Sequence, residues 1–168
     1  VLVQLEKEAV LVLQEIWAKI SARERFVVYG AVAMLVGWLV GQFIATFNPC
    51  AGYNLGNLCP LSSFSYFSAG NAGTFALIGL LAAIVAVVVV YLKVAPNMNV
   101  NWPMPVAQVL LGVSGLALIC GVLVVLMQVS YGLNGAPVTM WLADVIFVGG
   151  GAAMAWFSYQ EYLGTKAA

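Results

Sequence analysis

The chain has 168 residues, of which 64% are apolar and 7% charged, with a formal net charge of zero. A water-soluble domain carries roughly 25% charged residues, so six Lys/Arg and six Asp/Glu are too few to build a hydrated shell around this much apolar surface. Neutrality leaves no basic footprint for nucleic acid, and the absence of histidine removes the commonest metal and haem ligand. The fold class that follows is an all-α integral membrane protein: a four-transmembrane-helix bundle preceded by an amphipathic helix.

In chain order, residues 1–20 come first. Numbering begins at Val1, which leaves open whether a longer or processed chain precedes it. Leu2, Leu5, Ala9, Val12, Leu13, Ile16, Trp17 and Ile20 recur at helical spacing, with Gln4, Glu8, Glu15 and Lys19 across from them. That pattern predicts an amphipathic helix, lying in the membrane interface or packed on a partner subunit or another copy. Its weakly anionic balance does not suit a polybasic lipid anchor. Ser21-Ala22-Arg23-Glu24 has capping-box spacing, which predicts a bend near Ile20 and a new helix from Ala22.

The membrane domain, residues 21–168, contains four stretches long enough to cross a hydrocarbon core: about 26–47, 71–92, 106–128 and 138–159. Three carry no charge and the fourth carries only Asp144. Lipid leaves no water for unpaired backbone groups, so runs of this length without alternation are helices. All six prolines lie outside them, and Pro105 and Pro137 stand where spans three and four should start. Span one is too long for a signal-peptide core and lacks a good cleavage site.

Lys7, Lys19, Arg23 and Arg25 precede span one, Lys93 separates spans two and three, and Lys166 follows span four. An even number of crossings puts all six on one side, which the positive-inside rule makes cytoplasmic. The expected location is a bacterial cytoplasmic membrane, with both termini inside and the 48–70 and 130–137 loops outside. Phe26, Tyr29, Tyr91, Trp102, Trp156, Tyr159 and Tyr162 mark the inner interface. Phe47, Tyr53, Phe64, Tyr66, Phe67, Tyr131 and Trp141 mark the outer one. Trp38 alone is mid-span.

Cys50 and Cys59 share the first outer loop, separated by eight residues, with Gly52, Asn54, Gly56 and Asn57 among these to turn the chain. A disulfide is expected there, contributing about 2–3 kcal/mol by loop closure. A thiolate pair without histidine or a nearby acid makes no complete metal site. Cys120, mid-span, should pack as a small hydrophobe. A cysteine pair in the first outer loop resembles claudin-like tetraspan proteins in that one feature. The loop here is far shorter and has no Trp ahead of Cys50, so the likeness assigns no family.

Small residues mark helix contacts: Gly37 and Gly41 on span one, and Gly149, Gly150 and Gly151 on span four, with Gly79 and Gly121 on the spans between. Asp144 is the one charge within a span. It lies about 9 Å into its helix by the 1.5 Å rise, where the helix dipole favours an anion. As a functional acid it would bind a proton or cation. As a structural one it would hydrogen-bond Gln128, Tyr131, Gln42 or a partner. Ser114 and Thr74 are the weak candidates for a relay.

No phosphate loop, paired intramembrane carboxylates, nucleophile–His pair or metal cluster is present, so no enzyme activity and no cofactor are expected. Cys50 and Cys59 lack the C-x-x-C spacing of an oxidoreductase. The leading expectation is a non-catalytic accessory subunit of a larger bacterial membrane complex, of respiratory or photosynthetic type, contacting lipid and other membrane subunits. The alternative is a small oligomeric channel or carrier using Asp144.

Overall fold

A computed structural model describes residues 11, 14–47, 64–65, 71–95, 100–130 and 138–167. Four helices dominate it: α1 (Ala22–Leu39), continued by a π-helical turn at Val40–Ile44, α2 (Ala72–Val94), α3 (Val106–Ser130) and α4 (Val138–Lys166). Each is long and apolar enough to cross a membrane. The protein is an all-α four-helix membrane bundle.

Local chemistry sets the ends. Ser21 is the N-cap of α1: its Oγ accepts from the Glu24 amide at 3.2 Å, while Glu24 Oε2 accepts from the Ser21 amide at 3.0 Å. This reciprocal box satisfies two donors that a helix start leaves orphaned. Residues 14–19 form a helical segment ahead of it, with Ile16 and Ile20 buried and Glu15 and Lys19 exposed; the rest of the amphipathic stretch, 1–10 and 12–13, lies outside the described residues. Ala95, after α2, is extended at φ −65°, ψ 123°, the conformation that a following proline (Pro96) imposes. Pro105 stands just ahead of α3 rather than inside it, and its carbonyl accepts from the Gln108 and Val109 amides.

The observed helices differ from the hydropathy spans at their ends. Span one was expected to run to Phe47, but the helix ends at Ile44. The Ala45 amide closes the π turn by donating a hydrogen bond to the Val40 carbonyl at 2.8 Å, and Thr46–Phe47 pairs antiparallel with Phe64–Ser65 as a two-residue ladder. Helix α4 continues beyond Tyr159 to Lys166, because polar residues at a water-facing helix end lower hydropathy without ending the helix.

Each helix packs on its two neighbours in a ring. The α1–α4 seam is the broadest, α2–α3 and α3–α4 follow, and α1–α2 is the narrowest. The described cations Lys19, Arg23, Arg25, Lys93 and Lys166 all lie at one end of the bundle, hereafter the charged end. From Glu24 to Ile44 the backbone rises about 30 Å, the thickness of a hydrocarbon core.

Small and flexible side chains fill the centre: Ala31, Met34, Ala76, Ala83, Ala117, Met140, Ala143, Met154 and, largest of all, Phe147. Leucines, isoleucines and valines such as Leu81, Ile84, Ile119, Leu126 and Val145 face outward. That arrangement inverts a soluble protein and suits lipid, where tails solvate branched side chains and close backbone approach drives helix association.

Candidate functional site

The α1–α4 seam is built on glycine. A Cβ placed on Gly30 would stand 2.7 Å from the Gly150 carbonyl oxygen, one on Gly150 would stand 2.5 Å from that of Gly30, and one on Gly37 would stand 2.6 Å from the Phe147 amide nitrogen. Gly151 faces α3, where an added Cβ would stand 3.1 Å from Leu118 Cα. Gly41 is buried in the π turn. Gly149 differs from the packing expectation: a Cβ there would meet nothing within 4 Å. Gly30, which carries the tightest crossing, was not among the expected contacts.

At the charged end three helices are tied by ions. Lys93 Nζ, on α2, donates to Glu24 Oε1 on α1 at 2.6 Å and lies 3.5 Å from Glu161 Oε1 on α4. The Glu24 side chain is only 2% exposed and Lys93 39%. Burying a carboxylate is tolerable only when its lone pairs are used; here one oxygen takes the lysine and the other takes the Ser21 amide. The capping spacing pointed to Glu24 as the capping-box partner of Ser21, but nothing in the sequence signalled its ion pair with a residue 69 positions away.

Arginines pin the adjoining segments. Arg23 Nη1 donates to the Gln160 carbonyl at 2.8 Å, lying across α4 where Gly164 leaves room. Arg25 Nη2 donates to the Trp17 carbonyl at 3.0 Å, and its guanidinium sits 5.6 Å above the Trp17 ring. That ring in turn lies 5.8 Å from Tyr29. The helical segment before α1 is thereby held against the bundle.

Deeper in, α3 and α4 share polar groups. Ser114 and Ser158 are fully buried and hydrogen-bonded through their hydroxyls at 2.9 Å. Gln128 and Asp144 are also buried, 1% and 4% exposed, and each is engaged by the surrounding structure. In an antiparallel pair, advancing fourteen residues along one helix matches retreating fourteen along the other. Gln128 is fourteen beyond Ser114, and Asp144 fourteen before Ser158, so the register that pairs the serines brings Gln128 level with Asp144. About 21 Å separates the two polar levels by helical rise. Between them the seam holds Ala117, Cys120, Val124, Phe147 and Met154, all buried. Thr74 lies on the exposed face of α2.

Among the described residues no three His, Cys, Asp or Glu side chains gather as a metal site would require. Cys120 is buried and free; Cys50, Cys59, Tyr131 and Pro137 lie outside the described residues. Trp38 is half-buried, edge-on to Phe43 at 6.2 Å. Comparison with protein-family models, with curated proteins and with solved structures finds no match.

Proposed function

We propose that the chain is a non-catalytic accessory subunit of a larger bacterial membrane complex, of the kind that houses respiratory or photosynthetic chemistry in other chains. The observation that carries this reading is the closed apolar layer between the two polar levels of the α3–α4 seam. A conduit needs polar groups or water at mid-depth, whereas Val124 and Phe147 fill that depth with no exposed surface. A rigid bundle, locked by glycine at one seam and by ions at one end, is what a stabilising subunit requires.

Two further elements belong to this reading. By the positive-inside rule the charged end is cytoplasmic, in a bacterial cytoplasmic membrane. Cys50 and Cys59 then lie outside, where an oxidising compartment favours their disulfide.

Solubilisation in a mild detergent tests the subunit role. The chain should migrate with other membrane proteins as one species, and a stable lone monomer refutes the proposal. An amine reagent that cannot cross the bilayer should leave Lys93 and Lys166 unlabelled in intact cells. Labelling from outside would reverse the orientation.

A further inference from the structure

The helical segment ahead of α1 does not continue its axis. A straight helix through Ser21 would set Trp17 and Tyr29 about 18 Å apart along that axis. Both side chains would then lean towards the N-terminus, so neither would close the gap. Their ring centroids instead stand 5.8 Å apart. Ser21, extended at φ −61° and ψ 156°, is where the chain turns. Residues 14–20 therefore lie beside the first two turns of α1, near Arg25 and Tyr29, rather than standing off from the bundle.

Two kinds of contact hold the segment there. Ile16 and Ile20 are buried in the same apolar cluster as the helix interiors. Arg25 Nη2 donates to the Trp17 carbonyl at 3.0 Å, in the last turn of the segment, where carbonyls lack helical partners and a cation is favoured. The same guanidinium covers the Trp17 ring at 5.6 Å.

With these groups turned inward, Gln14, Glu15, Ala18 and Lys19 form the outward face. It carries one charge of each sign and no large apolar side chain, so it lacks the aromatic or arginine anchor on which protein interfaces depend. Its level in the bundle indicates what covers it instead. Phe26 and Tyr29, each about half exposed, look outward from α1, and Trp17 joins them in an aromatic band of the kind that marks the boundary between headgroups and hydrocarbon.

We infer that residues 14–20 lie within the headgroup layer at the charged end, clasped to α1 by Arg25 and Trp17, with lipid headgroups rather than a protein over their polar face. The inference needs only the membrane bundle and is independent of any subunit role.

Spin-label accessibility of the purified full chain in phosphatidylcholine nanodiscs tests it, since no other subunit is then present. A nitroxide is attached through an encoded ketone side chain in place of Ala18, which leaves the three cysteines untouched. The same label in place of Ala167, exposed beyond α4, is the aqueous reference. The label at 18 should meet oxygen more often than the reference does, and a water-soluble nickel chelate several-fold less often. Equal nickel accessibility at the two positions overturns the inference, because the segment then stands in water. Exclusion of both reagents at 18 overturns it too, because protein then covers that face. Arg25→Gln should raise nickel accessibility at 18 towards the reference, whereas Arg23→Gln, whose guanidinium reaches α4 instead, should not. An unchanged label in the Arg25→Gln chain removes the clasp and overturns the inference as stated.

Discussion

Gly30 and Gly150 meet backbone to backbone: a Cβ built on Gly150 falls 2.5 Å from the Gly30 carbonyl oxygen, a separation that real Cβ atoms do not adopt. The two helices can approach this closely only while both residues lack side chains. Gly150→Ala must therefore push α1 away from α4 along the broadest seam of the bundle. Overpacking of this kind costs about 1–3 kcal/mol, and a thermal melt in detergent should fall accordingly. Gly149→Ala is the control. Its methyl meets nothing, and replacing a helical glycine recovers roughly 0.5–1 kcal/mol of backbone entropy, so its melt should hold or rise.

Hydropathy alone located all four helices, because charge-free runs of this length have only one way to satisfy their backbone in lipid. The same signal could not locate the ends. Glu161 and Lys166 lower the average without breaking α4, and Arg23 and Glu24 do the same at the start of α1. Choosing the right glycines needed the partner helix. A search for pairs four apart selects Gly37 and Gly41, yet the crossing uses Gly30 and Gly37, seven apart and so on nearly the same face. Gly41 is carried into the π turn, which adds a residue and rotates everything after it. Of the polar groups, Asp144 was visible as an isolated charge, whereas Ser158 is unremarkable among Trp156, Phe157 and Tyr159. The matching fourteen-residue intervals on α3 and α4 are the trace that both helices left in the sequence.

The ion triad should respond asymmetrically. Glu24 is buried and Lys93 is half in solvent, so the two partners are not equivalent. Lys93→Met strands a carboxylate with one remaining hydrogen-bond donor, and removing one partner of a buried pair costs up to roughly 3–5 kcal/mol. Partial exposure of the lysine and the retained Ser21 amide bond reduce that to about 2 kcal/mol. Glu24→Gln keeps the capping box, which accepts either side chain, and leaves Lys93 beside Glu161; about 1 kcal/mol is expected. Paired melts of the two variants check the order. Equal losses would mean the ion pair, not the burial of Glu24, sets the energy.

The buried serine pair should show non-additivity. Ser114→Ala leaves the Ser158 hydroxyl without its interhelical partner, but a helical serine can turn to a carbonyl one turn back. Interhelical hydrogen bonds within membranes average about 0.6 kcal/mol, and each single alanine should cost about that. The double variant should cost little more than either single one, since no orphaned hydroxyl remains. A double-mutant cycle measures the coupling, and strictly additive losses would show that the 2.9 Å contact contributes no stability.

Asp144 separates a structural acid from a transporting one. It is buried on α4, about 9 Å from the helix start, and the serine register sets it level with Gln128. Asp144→Asn preserves shape and one acceptor oxygen while abolishing the charge. If the acid only joins helices, this variant should assemble normally and melt within about 1 kcal/mol of the wild type. Asp144→Leu should lose about 1–3 kcal/mol, because whatever engages the carboxylate is then left buried and unsatisfied. In liposomes neither the wild type nor Asp144→Asn should pass protons or monovalent cations, since Phe147 and Val124 close the path towards the serines. Flux through the wild type that disappears in Asp144→Asn would instead make the acid part of a conduit, one that must open by moving Phe147 aside.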